Sequence, residues 1–266
     1  MGKSTTAVNL AIIAARMGRR VGLIDLDPLS NLATILDISE KELQEARCAT
    51  VDETGTLDDA TVELFPRLDL LFPLPKLKRG ESARMMEIVY KRMAGKLVRR
   101  YDLLLLDMPA GIGHDENLAF LPHVCTLLIV SNPEPTSHVS AGGYIRVALE
   151  IVPDLRVRLW HNKHRELVDS AFSSQDVIGN YNRLVEEDLR VPAAQARKVD
   201  TVATVPQDRS LDLLQQSLSA EVHLLAKMLE SVDMMHSAVV ADISFDGLAD
   251  AATANRLRYY LSGLAG

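Results

Sequence analysis

The chain has 266 residues, 47% apolar and 24% charged with only 5% aromatic, the make-up of a globular protein whose large core is aliphatic. Its 29 Lys and Arg against 36 Asp and Glu leave a net charge of −7, which argues against a surface coated all over by nucleic acid. No apolar run reaches the roughly 18 residues of a membrane span, the opening MGKSTTAVNL lacks the basic-then-apolar layout of an export signal, and Cys48 and Cys125 stand far apart without metal-ligand spacing, which suits a reducing, cytoplasmic compartment.

In chain order, Val8, Ala11, Ile12 and Ala15 recur at helical spacing and predict a helix from about Ser4 to Met17, with Gly18 as its stop. VGLID, Val21 to Asp25, is a short apolar run that ends in acidic and turn residues and predicts a buried strand. Leu68 to Phe72 predicts a strand, 81–100 a helix, Asp102 to Leu106 and Leu127 to Val130 strands, and 137–151 a helix. Val157 to Trp160 and Thr201 to Val205 read as further strands, with helices over 175–190 and 208–236 around the last of them. Short apolar runs alternating with longer helical patterns give an α/β fold, a mostly parallel sheet with helices on both faces. No linker or repeat divides it, so a single domain over 1–266 is expected. Segment 76–100 carries nine Lys and Arg against Glu81 and Glu87, which reads first as a solvated helix face and second as a contact for phosphates, anionic lipid or an acidic partner.

The chemistry starts at Gly2-Lys3-Ser4-Thr5, the end of a phosphate loop at the head of a helix. Helix-start N–H groups and the helix dipole favour an anion there. The lysine reaches the β- and γ-phosphates and the hydroxyl after it ligates Mg²⁺. Four residues alone say little, but VGLID runs into Asp25-Leu26-Asp27-Pro28-Leu29-Ser30-Asn31 and DLLLLD runs into Asp107-Met108-Pro109-Ala110-Gly111. Carboxylates at strand C-termini face the crevice where open α/β sheets bind ligands, one to hold the metal and another to orient an attacking water. The three elements, in that order, point to a nucleotide site.

GKSTTAVNLA, RVGLIDLDPLSNLATIL, YDLLLLDMPAGIG, SNPEPTS and VPQDRSL together resemble the ParA/MinD family of P-loop ATPases, over residues 2–211. The DLDPxxN piece is most similar to ParA, and the DMPAGIG and NPEPTS pieces to MinD and the flagellar-number regulator FlhG. The resemblance implies a Mg-ATPase in which Gly2, Lys3, Ser4 and Thr5 cradle the phosphates. Ser4 would ligate Mg²⁺, with Asp25 and Asp107 supporting the metal shell. Asp27 would position the hydrolytic water, and Asn31 would help hold that water or the γ-phosphate. Asn162 is a candidate adenine contact, its other reading being a turn residue, and Pro206 would lie beside the base. His161 and His164 have no carboxylate or cysteine partner in sequence and are expected at the surface rather than on a metal.

The family's loop reads KGGxGK[ST], whereas here Met1 directly precedes Gly2-Lys3-Ser4. The strand that feeds the loop, and the lysine that crosses an ATP-sandwiched dimer, are not in the sequence. We therefore expect a start upstream of Met1, the alternative being a degenerate, non-catalytic member that acts as a partner-binding scaffold. The expected function is a switch that positions a flagellum, division site or chromosome through an ATP-dependent homodimer and an activating protein partner. A ParA-type DNA-segregation ATPase using the basic segment is a further alternative. The tail at about 246–266 places Leu248, Ala252, Leu257, Leu261 and Leu264 loosely on one side of a helix. Asp246 and Asp250 offset Arg256 and Arg258, so it reads as packed on the domain, with peripheral contact at the inner face of the membrane as the other reading.

Overall fold

The computed structural model describes residues 2–26, 32–33, 36, 38–51, 61–71, 96–109, 118, 120–164 and 173–206. The strands expected at 21–25, 68–72, 102–106, 127–130, 157–160 and 201–205 are found at 21–25, 68–71, 103–107, 126–131, 156–164 and 200–206, with residue 72 outside the described residues, and the helices expected over 4–17 and 137–151 are found at 3–16 and 135–151. The segments expected at 81–95, 110–117, 208–236 and 246–266 lie outside the described residues.

Helix α1 (Lys3–Arg16) carries the predicted stripe of Val8, Ala11, Ile12 and Ala15. It packs these on Val21 and Leu23 of β1 (Val21–Asp25) and on Leu68 and Leu70 of β3 (Leu68–Leu71). Helix α2 (Glu40–Val51) adds Leu43 and Ala46 to the same core. The opposite face of β1 presents Gly22 and Ile24. Ile24 joins Leu71, Leu97 and Tyr101 in a second cluster, with Leu97 on a helical stretch over 96–100. Helices therefore cover both faces, and β1 is buried at all five positions, which is why its sequence is a continuous apolar run and not an alternating one.

The strand order in this sheet is β2-β3-β1-β4, with β4 at Leu103–Asp107. β1 is parallel to β3 and β4, while β2 (Thr61–Phe65) pairs antiparallel with β3 across a tight turn at Pro66-Arg67. A second, all-parallel sheet has the order β5-β6-β7, with β5 at Thr126–Ser131, β6 at Arg156–His164 and β7 at Asp200–Pro206. Its core is filled by Ala141, Ile145, Ala148 and Leu149 of α3 (Pro135–Ile151) and by Val177 and Ile178 of α4 (Ser174–Asn182), packed on Ile129, Val157 and Leu159. A short helix, α5 (Ala193–Ala196), leads into β7.

The mostly parallel α/β arrangement holds, and among the described residues its strands form two sheets, with β4 and β5 as their terminal strands. Two features depart from the sequence reading. α2 and β2 are elements the apolar pattern passes over. The helix expected over 175–190 stops at Asn182, because the Asn182 amide closes a loop onto Val191, donating to its carbonyl at 3.1 Å and accepting from its N–H at 2.9 Å.

Candidate functional site

α1 starts at the candidate phosphate loop. Gly2 is its N-cap in a left-handed conformation, φ +85°, and no side chain caps the helix. The first intrahelical bond runs from Thr6 N–H to Gly2 C=O at 2.9 Å, which places Lys3, Ser4 and Thr5 in the opening turn, all half-buried. One turn on, the buried Asn9 donates its amide to the Thr5 carbonyl at 2.7 Å. An uncapped helix start carries partial positive charge from its N–H groups and dipole. α1 joins β1 through the turn at residues 17–20, so it runs antiparallel to the strand and its start lies toward the strand's C-terminal end.

At that end stand the two carboxylates. Asp25 and Asp107 are the last residues of β1 and β4, paired in register across the parallel ladder, and only 2% and 3% exposed. Leu26 N–H donates to the Asp107 carbonyl at 3.0 Å and continues the ladder past the strand ends. Adjacent buried carboxylates are costly alone and are suited to a cation. The donor set of two carboxylates with the Ser4 hydroxyl is all oxygen, which fits Mg²⁺.

The third component comes from the second sheet. β6 runs on to His164, so Asn162 sits on a strand and the turn reading is overturned. A Cβ at Gly2 would overlap the Asn162 side-chain amide, so the helix start and Asn162 lie against each other. Pro206 ends β7 in register with His164 of β6, on the same end of the sheet. Asp27 and Asn31 lie outside the described residues.

His161 is a correction, because it is buried and not at the surface, at 2% exposure. Its ring meets that of the equally buried His138 edge-on at 6.3 Å between centroids. His138 contacts the Asn180 amide through Nδ1 at 3.1 Å, and burial pushes its titration below the ordinary histidine value. Beside it the Ser131 and Ser137 hydroxyls bond at 3.2 Å, and Ser137 accepts the Asn132 N–H at 3.0 Å. This polar cluster underlies the strand end that bears Asn162. Its members come from α3, α4, β5 and β6, and no linear spacing encodes them.

Comparison with known proteins gives the family and the fold. The description "CobQ/CobB/MinD/ParA nucleotide binding domain" matches residues 1–237. The septum site-determining protein MinD of Synechocystis is 32% identical over 135 residues, 50% of this chain and 50% of that protein. The chain spans about half the length of such curated relatives. The fold is similar to that of the MinD cell division protein of Aquifex aeolicus, with a TM-score of 0.59, 21% identity, and 98% of this chain and 92% of that chain covered. It is also similar to MinD of Pyrococcus horikoshii complexed with Mg-ADP, with a TM-score of 0.50, 19% identity, and 100% and 92% covered.

Proposed function

Since the chain belongs to the CobQ/CobB/MinD/ParA nucleotide-binding family, we propose that it is a Mg-ATP-binding and hydrolysing switch that positions a flagellum, division site or chromosome. The observation that carries this reading is the contact of the uncapped start of α1 with Asn162, at the end of the fold toward which β1 and β4 run and close on the buried Asp25–Asp107 pair. The Lys3 ammonium and the opening N–H groups of α1 bind the phosphates, and Thr5 extends that cradle. Ser4, Asp25 and Asp107 hold Mg²⁺, which when bound neutralises charge that develops on the phosphate oxygens. Asp27 positions the attacking water, Asn31 helps hold that water or the γ-phosphate, and the Asn162 amide reads the adenine edge with Pro206 beside the base.

Hydrolysis here serves as a timer. ATP joins two copies and turnover, stimulated by an activating protein partner, separates them, so the output is a change of binding surface. The proposed place of action is the cytoplasm, with the tail offering peripheral contact at the inner face of the membrane. The competing reading is a scaffold that keeps the sheets and binds partners without nucleotide.

Calorimetry with Mg-ATP separates the two. Saturable binding that Lys3→Ala weakens by at least about a hundredfold, as expected for a lost charge-assisted phosphate contact, supports the switch. No heat of binding in the intact chain leaves the scaffold. Asp27→Ala is expected to bind Mg-ATP and to lose turnover, and normal phosphate release by that variant would remove Asp27 from its role.

A further inference from the structure

The opposite end of the first sheet has a character of its own. Three chain segments meet at the N-terminal ends of β1, β3 and β4, and they bring six cations together: Arg19, Arg20, Arg67, Lys96, Arg99 and Arg100. Hydrogen bonds and ion pairs tie the segments to one another. Arg20 forks onto Asp102 at 2.9 and 3.4 Å, Arg67 donates to the Gly18 carbonyl at 3.0 Å, and Arg100 pairs with Asp69 at 2.9 Å while Tyr101 OH bonds the same carboxylate at 2.7 Å. Three acidic residues stand beside the six cations, Asp69 and Asp102 on these segments and Glu63 on β2 opposite Asp69. Val98 stands between Lys96 and Arg99 with 68% of its surface exposed, the second most exposed of the large apolar residues described.

We propose that this face is a docking surface for an acidic, amphipathic segment of a protein partner. Arginine forks match carboxylates and phosphates alike, so charge alone does not choose between protein and nucleic acid. Three observations favour protein. Val98 offers an apolar contact that a phosphate backbone cannot fill and a leucine or valine can. Glu63, Asp69 and Asp102 interrupt the positive field, which suits discrete carboxylates set between apolar residues and opposes an unbroken ladder of phosphates. The net charge of −7 repels an extended polyanion at long range, whereas a short segment meets only the local field. The face is separated from Asp25 by the length of β1, about 13 Å at the usual strand rise, so a partner here leaves the nucleotide end open. This inference does not rest on the nucleotide reading.

The test is fluorescence anisotropy on the full chain with a labelled fourteen-residue peptide in which Glu and Leu alternate at helical spacing. Its Glu→Gln counterpart and a short duplex DNA serve as comparison probes. The expected result is binding of the Glu/Leu peptide at low salt, weakened about tenfold on raising salt from 50 to 300 mM through screening, and no binding of the Gln form. Arg67→Glu with Arg99→Glu is expected to cost at least about tenfold in affinity, and Val98→Ser about threefold. Lys96→Glu with Arg99→Glu supplies a second charge reversal that leaves the Arg67 turn intact. Calorimetry with Mg-ATP on the same variants reads the other end of the sheet independently. Failure of the peptide to bind, binding indifferent to both charge reversals, or tighter binding of DNA with Val98→Ser silent would each overturn the proposal, the last in favour of a phosphate-binding face.

Discussion

Gly2 and Gly18 share one backbone conformation, φ +85°, and differ in everything around it. A Cβ at Gly18 meets nothing within 4 Å, so Gly18→Ala carries only the left-handed penalty of about 1 kcal/mol. Gly2→Ala carries the same penalty and must also displace the Asn162 amide. Gly18→Ala is therefore expected to lower the melting temperature by a few degrees with Mg-ATP affinity unchanged. Gly2→Ala should lose affinity by about tenfold or more, and equal affinities in the two variants would detach Gly2 from the site. At the other end, the Arg20 guanidinium and backbone N–H hold the Asp102 carboxyl down to about 2. A depressed carboxyl stabilises the fold above its unfolded value, near 3.8, and that contribution is lost as pH falls through the folded value. Acid titration followed by circular dichroism should thus show a loss of stability between about pH 4 and pH 2 that Asp102→Asn makes shallower, and an identical acid limb in the variant would contradict it. The places of Lys3 and Ser4 at a helix start and of Asp25 and Asp107 at strand ends were legible in sequence because helix starts and strand ends leave local signatures. His161 was not, since its burial is set by His138 on another element.

Among the elements, the central strand β1 shows why the first sheet was readable. Buried on both faces, it is a continuous apolar run, and its neighbours β3 and β4 are short leucine-rich runs beside it. β2 was missed because TVELF alternates around a charged residue and pairs antiparallel at an edge, where burial demands little of the sequence. α2 has a weak apolar face, but Ser39 and Glu42 form a capping box with bonds of 2.6 to 3.2 Å, a spacing that marks its start. The same device starts α4, where Ser173 and Asp176 cap each other reciprocally. Packing of α4 on α3 depends on a feature that no period reveals. A Cβ at Gly142 would overlap Cβ and Cγ of Tyr181, atoms too near the backbone to swing aside. Gly142→Ala must therefore separate the two helices, at an expected cost of about 1–3 kcal/mol. Tyr181 also donates its hydroxyl to the Leu189 carbonyl at 3.1 Å, so Tyr181→Gly, which removes the hydroxyl and the overlapping Cβ together, is destabilising alone. The double variant should be more stable than the sum of the single losses predicts, and strict additivity in a denaturation cycle would show that the two side chains do not compete for space.

For the molecule as a whole, the two sheets have separate cores, one built on α1 and α2 and the other on α3 and α4. The start of α1 reaches from the first to Asn162 on the second. A ligand seated on Gly2, Lys3 and Asn162 touches both, so its binding free energy is unavailable to a chain in which either core has opened. Stabilisation by such a ligand follows mass action and amounts to about 2.7 kcal/mol at a hundred times Kd. For a chain of this size that corresponds to a rise in Tm on the order of 5–10 °C. Asn162→Ala, with an expected tenfold loss of affinity, should retain about 1.4 kcal/mol at the same ligand concentration. Differential scanning calorimetry over a Mg-ATP series checks both values. A Tm that climbs with the logarithm of concentration, and climbs less in Asn162→Ala, places the nucleotide across the two sheets. The same climb in both proteins would confine binding to the first sheet and remove Asn162 from it, and a Tm indifferent to Mg-ATP would return the chain to the scaffold reading.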